Sequence, residues 1–292
     1  MTSSTRAAHL AMLLFPLLVA GAFSLGVLAA NDISPIALNA VRFWIAAAII
    51  GVIVMLRGGM PRAALRAPWR YFVMASVFTT YFVLMFEGLK TAPSVSAAAV
   101  FTLTPILSAG FGWLLLRQGL TRRMTVALTI GGLGALWVIF RADLQAVLRF
   151  DAGRGELIYF IGCISHALYT PIVRKLNRGE TALVFTFGML VAGAVILTVV
   201  GWSGLVATPW ATLPVIVWIT IVYTAVFASA ATFTLLQYAT LHLPSSKVMA
   251  YTYLTPAWVI VWDVALGGTM PPLAVWGGVG LTVVALVLLL RD

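Results

Sequence analysis

Acidic residues are scarce in this chain, eight Asp and Glu in 292 positions, and charge of either sign makes up only 9% of it. So little charge cannot cover a water-soluble surface when 62% of the residues are apolar and the mean hydropathy is +1.06. Such a composition belongs in a bilayer. Cysteine is all but absent: Cys163 stands alone, so no internal disulfide can form, and the thiol is read as a small core residue. Histidine is limited to His9, His166 and His242, far apart and with no carboxylate or second His at metal-ligand spacing. There is no Gly-x-Ser-x-Gly elbow, no glycine-rich phosphate loop followed by Lys, and no pair of carboxylates within one apolar run. These absences argue against catalysis, and no metal or cofactor is expected.

Long apolar runs are what the chain does have. A membrane-spanning helix needs about 20 mostly apolar residues. Breaking the sequence at charges, Pro and Gly gives ten candidates: 8–30, 34–56, 69–88, 94–116, 123–140, 155–173, 181–201, 212–236, 245–267 and 272–290. The runs are apolar on every face, which excludes the alternating strands of a β-barrel. The first run is too long for the apolar stretch of a cleavable signal peptide and is read as a retained helix.

Two of the runs carry one irregular pattern. Pro93-Ser94 precedes Leu103-Thr104-Pro105, and Pro244-Ser245 precedes Leu254-Thr255-Pro256, at an offset of 151 residues, about half the chain. The same offset pairs Phe82 with Phe233, and Gly131-Gly132-Leu133-Gly134 is echoed by Gly277-Gly278-Val279-Gly280. The chain therefore reads as a duplication, with a first five-helix repeat over 1–145 and a second over 146–292. Five helices is an odd number, so the second repeat must enter the membrane inverted. The expected fold is all-α: ten transmembrane helices as two inverted five-helix repeats.

Lys and Arg orient it, because cytoplasmic loops carry their excess. With the N-terminus inside, Arg6, Arg57, Arg62, Arg66, Arg70, Arg117, Arg122, Arg123, Arg174, Lys175, Arg178, Lys247 and Arg291 face the cytoplasm, 13 of the 18 basic residues. Arg42, Lys90, Arg141, Arg149 and Arg154 fall elsewhere. Both termini are thus expected in the cytoplasm. The net charge of +10 is explained by this asymmetry rather than by nucleic acid, which is not an expected partner. Arg62, Arg66 and Arg70 recur every four residues and read as a solvated topology signal or a short helix against anionic headgroups.

Within the spans only Arg42, His166 and Asp263 are clearly ionisable, and Arg42 and Asp263, both near non-cytoplasmic ends, are expected to snorkel or to pair. Pro105 and Pro256 should kink the fourth and ninth spans at equivalent depths and serve as paired hinges for alternating access. The polar residues before them, Thr102 and Thr104 in one half and Thr252, Tyr253 and Thr255 in the other, either line a cavity or satisfy freed carbonyls. The glycine triplets allow close packing of the fifth and tenth spans, a scaffold role.

Ten spans, two five-helix halves, and closing segments that run from Ala92-Pro93-Ser94 through Leu103-Thr104-Pro105 to a Gly-rich last helix resemble the EamA type of the drug/metabolite transporter superfamily. Ala167-Leu168-Tyr169-Thr170, followed by Arg174-Lys175, is similar to that family's sixth helix. Within the superfamily the chain resembles bacterial aromatic amino acid exporters of the YddG type. It departs from them in placing His166, Thr102 and Thr104 where they carry aromatic residues, which widens the expected substrate range.

The resemblance implies a monomeric transporter of the cell inner membrane. It implies a cavity walled by the first, third, fourth, sixth, eighth and ninth helices, with the fifth and tenth behind. On that basis Tyr81, Phe101, Thr102, His166, Tyr169, Gln237, Thr252 and Tyr253 are the expected substrate-binding residues. Ring faces can hold an ammonium group, and hydroxyls and amides can hold a carboxylate. The expected function is export of neutral and aromatic amino acids by alternating access. Efflux of drugs, nucleosides or other small metabolites on the same fold is the alternative, and a non-transporting scaffold or receptor a third.

Overall fold

Proline and threonine mark where the helices begin. Pro35 occupies the first turn of its helix, and Pro93, Pro214 and Pro244 stand immediately before theirs, where a missing N–H costs nothing. Thr121 and Thr181 cap two further starts, their hydroxyls accepting from the backbone N–H of Met124 and Val184. The computed structural model describes residues 3–149 and 152–290. The chain termini and Arg291, used above to set orientation, lie outside the described residues.

The helices are α1 (Ser3–Ala29), α2 (Pro35–Leu56), α3 (Trp69–Gly88), α4 (Ser94–Phe101), α5 (Thr104–Leu116), α6 (Arg122–Ile139), α7 (Leu144–Arg149), α8 (Arg154–Leu176), α9 (Ala182–Val200), α10 (Trp202–Ala207), α11 (Val215–Ala225), α12 (Thr232–His242), α13 (Ser245–Ala250), α14 (Thr255–Ala265) and α15 (Leu273–Leu290). Among the described residues nine helical stretches are long and apolar enough to cross a membrane. The expected ninth span is not one of them: α13 ends after six residues, a single 3₁₀ turn over Tyr251–Leu254 follows, and α14 resumes at Thr255. The fourth is interrupted in the same way between Phe101 and Thr104.

The eighth span runs to His242 rather than stopping at 236. Two polar side chains there bond internally: Gln237 Oε1 accepts from Tyr169, and the Thr240 hydroxyl donates to the Leu236 carbonyl. The short basic segment is a 3₁₀ turn over Arg62–Arg66 with both arginines exposed, while Arg70 is buried in the first turn of α3.

Packing displays the duplication. The paired helices are α6 with α15, α2 with α9, α3 with α8, α1 with α11 and α12, α4 with α14, and α5 with α13. Exchanging the two halves maps this set onto itself, as a pseudo-twofold arrangement requires. At the α6–α15 contact a Cβ on Gly134 would lie 2.7 Å from the Gly278 carbonyl oxygen, and one on Gly278 would lie 2.8 Å from that of Gly134. Only glycine permits that approach.

Large apolar side chains stand on the outer surface as well as in the core. Met55, Trp113, Val199 and Leu273 face outward, while a minority of polar residues, among them Asn39, Arg42, Ser108, Thr170, Thr224, Ser229 and Gln237, are buried within the mainly apolar interior. Apolar side chains on the outside suit a protein whose surrounding solvent is hydrocarbon.

Candidate functional site

The centre of the bundle is a cluster of rings on α3, α4, α8 and the eighth span. α3 and α8 are drawn together at Gly88 and Gly155, where a Cβ on Gly155 would lie 2.4 Å from the Gly88 carbonyl oxygen. That approach brings the Tyr81 and Tyr159 hydroxyls to 2.9 Å and the Tyr81 and His166 ring centres to 4.4 Å. Phe78 lies 4.3 Å from Tyr169 and 4.5 Å from Phe233, and Phe82 stacks on Phe233 at 5.5 Å and 20°. Contacts of this kind favour these ring orientations by about 0.5–1.5 kcal/mol each beyond area burial.

These rings enclose a void of about 10 Å³, room for one water. Phe15, Val19 and Ala22 of α1, Phe78, Tyr81, Phe82 and Met85 of α3, Phe101 of α4, His166 of α8, and Ala228, Thr232 and Phe233 of the eighth span line it. None is Lys, Arg or a carboxylate. A void of that size is far smaller than a metabolite.

The residues nominated from sequence divide into three groups. Tyr81, Phe101 and His166 line the void, and the His166 Nδ1 has no hydrogen-bond partner although the side chain is buried. Tyr169 and Gln237 stand just behind: the Tyr169 hydroxyl donates to Gln237 Oε1 at 2.8 Å, and Gln237 Nε2 is left without a partner. The other three point elsewhere. The Thr102 hydroxyl donates to the Ala99 carbonyl at 2.6 Å and that of Thr252 to Met249 at 2.8 Å. Tyr253 projects toward α6, where a Cβ on Gly131 would meet its ring tip at 2.3 Å. No side chain of the ninth span reaches the void, and neither α6 nor α15 does.

Pro105 and Pro256 sit one residue inside the second half of each broken span. Pro105 leaves the Phe101 carbonyl without its helical donor, and the Thr104 hydroxyl fills the gap at 2.7 Å. Thr255, its counterpart before Pro256, has a buried hydroxyl with no partner.

A duplicated helical bundle packed around an uncharged central void has the architecture of a membrane transporter, and the comparisons with known proteins point to that family. The model of the EamA-like transporter family matches twice, over residues 6–140 and 153–291. The chain belongs to the EamA-like transporter family. It is 25% identical over 273 residues to the uncharacterized transporter YyaM of Bacillus subtilis (strain 168), covering 93% of this chain and 90% of that one. A solved crystal structure with 21% identity superposes over 98% of this chain and 96% of its own, with a TM-score of 0.73, and shares the fold.

One feature of this EamA-like bundle escaped the sequence reading. Arg42 is fully buried and neither snorkels nor pairs with Asp263. The eighth span makes a π turn over Val226–Ala231, and Arg42 is held against it. Its Nε donates to Ser229 Oγ at 2.7 Å, Nη2 to the Ala228 carbonyl at 2.7 Å and Nη1 to Asn39 Oδ1 at 3.2 Å, while the guanidinium lies 3.9 Å over the Phe82 ring. A π turn leaves its carbonyls short of helical donors, and here a guanidinium supplies one. Asp263 is bound instead by the Ser94 hydroxyl at 2.5 Å. Only an interruption in helical periodicity could have betrayed the π turn, and none shows in a run apolar on all faces.

Proposed function

We propose that this transporter exports neutral amino acids, aromatic ones included, from the cytoplasm by alternating access about the central void. The observation that carries the reading is the convergence of Tyr81, Phe101 and the His166 imidazole, whose Nδ1 has no partner, on one uncharged void at the middle of a symmetric bundle. Such a pocket offers ring faces to an ammonium group and apolar walls to a side chain. It discriminates one apolar side chain from another by only about 1–3 kcal/mol per methylene, so the range of substrates is broad. Pro105 and Pro256 are the proposed hinges, because the broken spans can reorient without tearing a continuous hydrogen-bond ladder. The distribution of basic residues supports cytoplasmic termini and hence an inner-membrane exporter.

The test is flux of radiolabelled amino acids through vesicles holding the purified protein. Uptake should extend over several neutral amino acids and fall about tenfold or more in Tyr81→Ala and His166→Ala, with the protein still folded. Passage of a nucleoside or a drug but of no amino acid would replace this reading with metabolite efflux.

A further inference from the structure

A guanidinium inside a membrane bundle demands an account, because desolvating it is costly unless a counter-charge or water compensates. Arg42 has neither. No carboxylate lies within ion-pair distance of it among the described residues, and its three hydrogen bonds all go to neutral acceptors: one hydroxyl, one carbonyl and one amide oxygen. A guanidinium has five N–H groups, so one on each terminal nitrogen remains uncommitted.

Its position gives those groups an address. Phe82, under the guanidinium, and Ala228, whose carbonyl it holds, both line the central void. Arg42 is thus one side-chain layer behind the wall, and the covering layer is an aromatic ring rather than backbone. A cation held by neutral acceptors and a ring face exchanges readily for a carboxylate, since charge-assisted hydrogen bonds are about twice as strong as neutral ones. The scaffold around it is rigid: Asn39 is anchored to the Pro35 carbonyl at 2.8 Å, and the π turn supplies two acceptors at once.

We infer that Arg42 is the carboxylate-binding residue of the transport site. Its ligand is an organic acid whose anion reaches the guanidinium when the Phe82 ring swings aside, and whose apolar body lies against Phe78, Tyr81 and Phe101. Applied to amino acid export this rests on the reading above and sharpens it. The substrate must carry a carboxylate, whereas its ammonium group is dispensable.

Three ligands of one shape separate the possibilities: phenylalanine, 3-phenylpropionate, which lacks the ammonium, and 2-phenylethylamine, which lacks the carboxylate. Their binding to purified protein is read by thermal shift and by competition. Phenylalanine and 3-phenylpropionate should bind within about tenfold of each other, and 2-phenylethylamine about a hundredfold or more weaker. Arg42→Gln should erase that preference, and Arg42→Lys, which keeps the charge but not the fork, should retain part of it. The inference is overturned if the amine binds as well as the acids, if neither acid binds, or if folded Arg42→Gln keeps the preference. Should Arg42→Gln fail to fold, Arg42→Lys decides: a reduced preference supports the inference, and a folded Arg42→Lys that keeps the full preference overturns it. Binding of 3-phenylpropionate without phenylalanine would sink the amino acid reading and leave the role of Arg42 standing.

Discussion

The third span runs as one uninterrupted α-helix from Trp69 to Gly88, whereas its counterpart in the second repeat, Val215–His242, is split by a π turn at Val226–Ala231. At the repeat offset of 151 residues, Ser229 of that turn corresponds to Phe78, and Arg42 corresponds to Gly193. One half supplies the cation and the other the turn that receives it. In the reversed positions stand a ring packed in the void wall and a glycine whose Cβ would lie 2.7 Å from Phe43. Duplication fixed the frame of paired helices, and divergence at two positions gave a symmetric bundle a polar end to its central site. Transport needs both: symmetry makes two access states comparable in energy, and asymmetry lets a ligand bind in one orientation.

The sharpest way to break the comparison lies at the scaffold glycines, where equal sequence hides unequal packing. Gly134 faces the Gly278 backbone, yet its counterpart in the glycine echo, Gly280, has nothing within 4 Å of its would-be Cβ. Gly134→Val should abolish the α6–α15 contact at a cost of about 3 kcal/mol or more and remove the folded protein from detergent extracts. Gly280→Val should extract and melt like the unaltered chain. Equal damage from both substitutions would mean that the glycines act through composition rather than contact.

These pairs show what sequence could and could not disclose. The helical class, the duplication and the scaffold glycines were legible because each leaves a pattern in composition or spacing. Tyr81, Phe101 and His166 reach the void from α3, α4 and α8, whereas the ninth span, also expected to wall it, contributes no lining side chain. Thr102, Thr252 and Tyr253 were chosen for closeness to a proline, but a break in a helix also rotates the residues beside it. Two of those hydroxyls turn back to local carbonyls, and the tyrosine turns toward α6. Phe82 and Phe233 were visible as a repeat pair, but only the folded bundle shows them stacked on the void. The burial of Arg42 depends on a π turn 187 residues away in sequence, which no local pattern announces.

A smaller effect separates the two proline breaks. Thr104 caps the carbonyl that Pro105 frees, whereas the Thr255 hydroxyl beside Pro256 is buried without a partner. Thr104→Val should therefore cost about 1 kcal/mol in a thermal or denaturant titration, the net worth of one buried hydrogen bond. Thr255→Val, which removes an unsatisfied group, should be neutral or slightly stabilising. The reverse order would show that the first break is stabilised elsewhere.

The smallest effect compares the two ends of the bundle. At the end of the bundle where α1 begins and α15 finishes, Arg70 donates to Glu180 Oε1 at 2.5 Å and to the Leu176 carbonyl at 2.6 Å, with the two charged side chains only 1% and 7% exposed. At the other, Lys90 meets Glu87 at 2.7 Å with 30% and 40% exposure, an arrangement worth little in water. Burial pushes the Glu180 carboxyl up, but hydrogen bonds from the Arg70 guanidinium and from the backbone N–H groups of Arg178 and Glu180, together with the Arg70 charge, outweigh it and hold the group below its ordinary range. The folded protein then binds fewer protons here than the unfolded chain, so this contribution is complete above the unfolded carboxylate value and is lost as pH falls through the lower, folded one. Melting midpoints measured from about pH 6 down to about pH 3 should show a decline that Glu180→Gln reduces and Glu87→Gln leaves in place. Matching acid profiles for Glu180→Gln and the unaltered protein would show that the buried pair, for all its geometry, contributes no more than the exposed one.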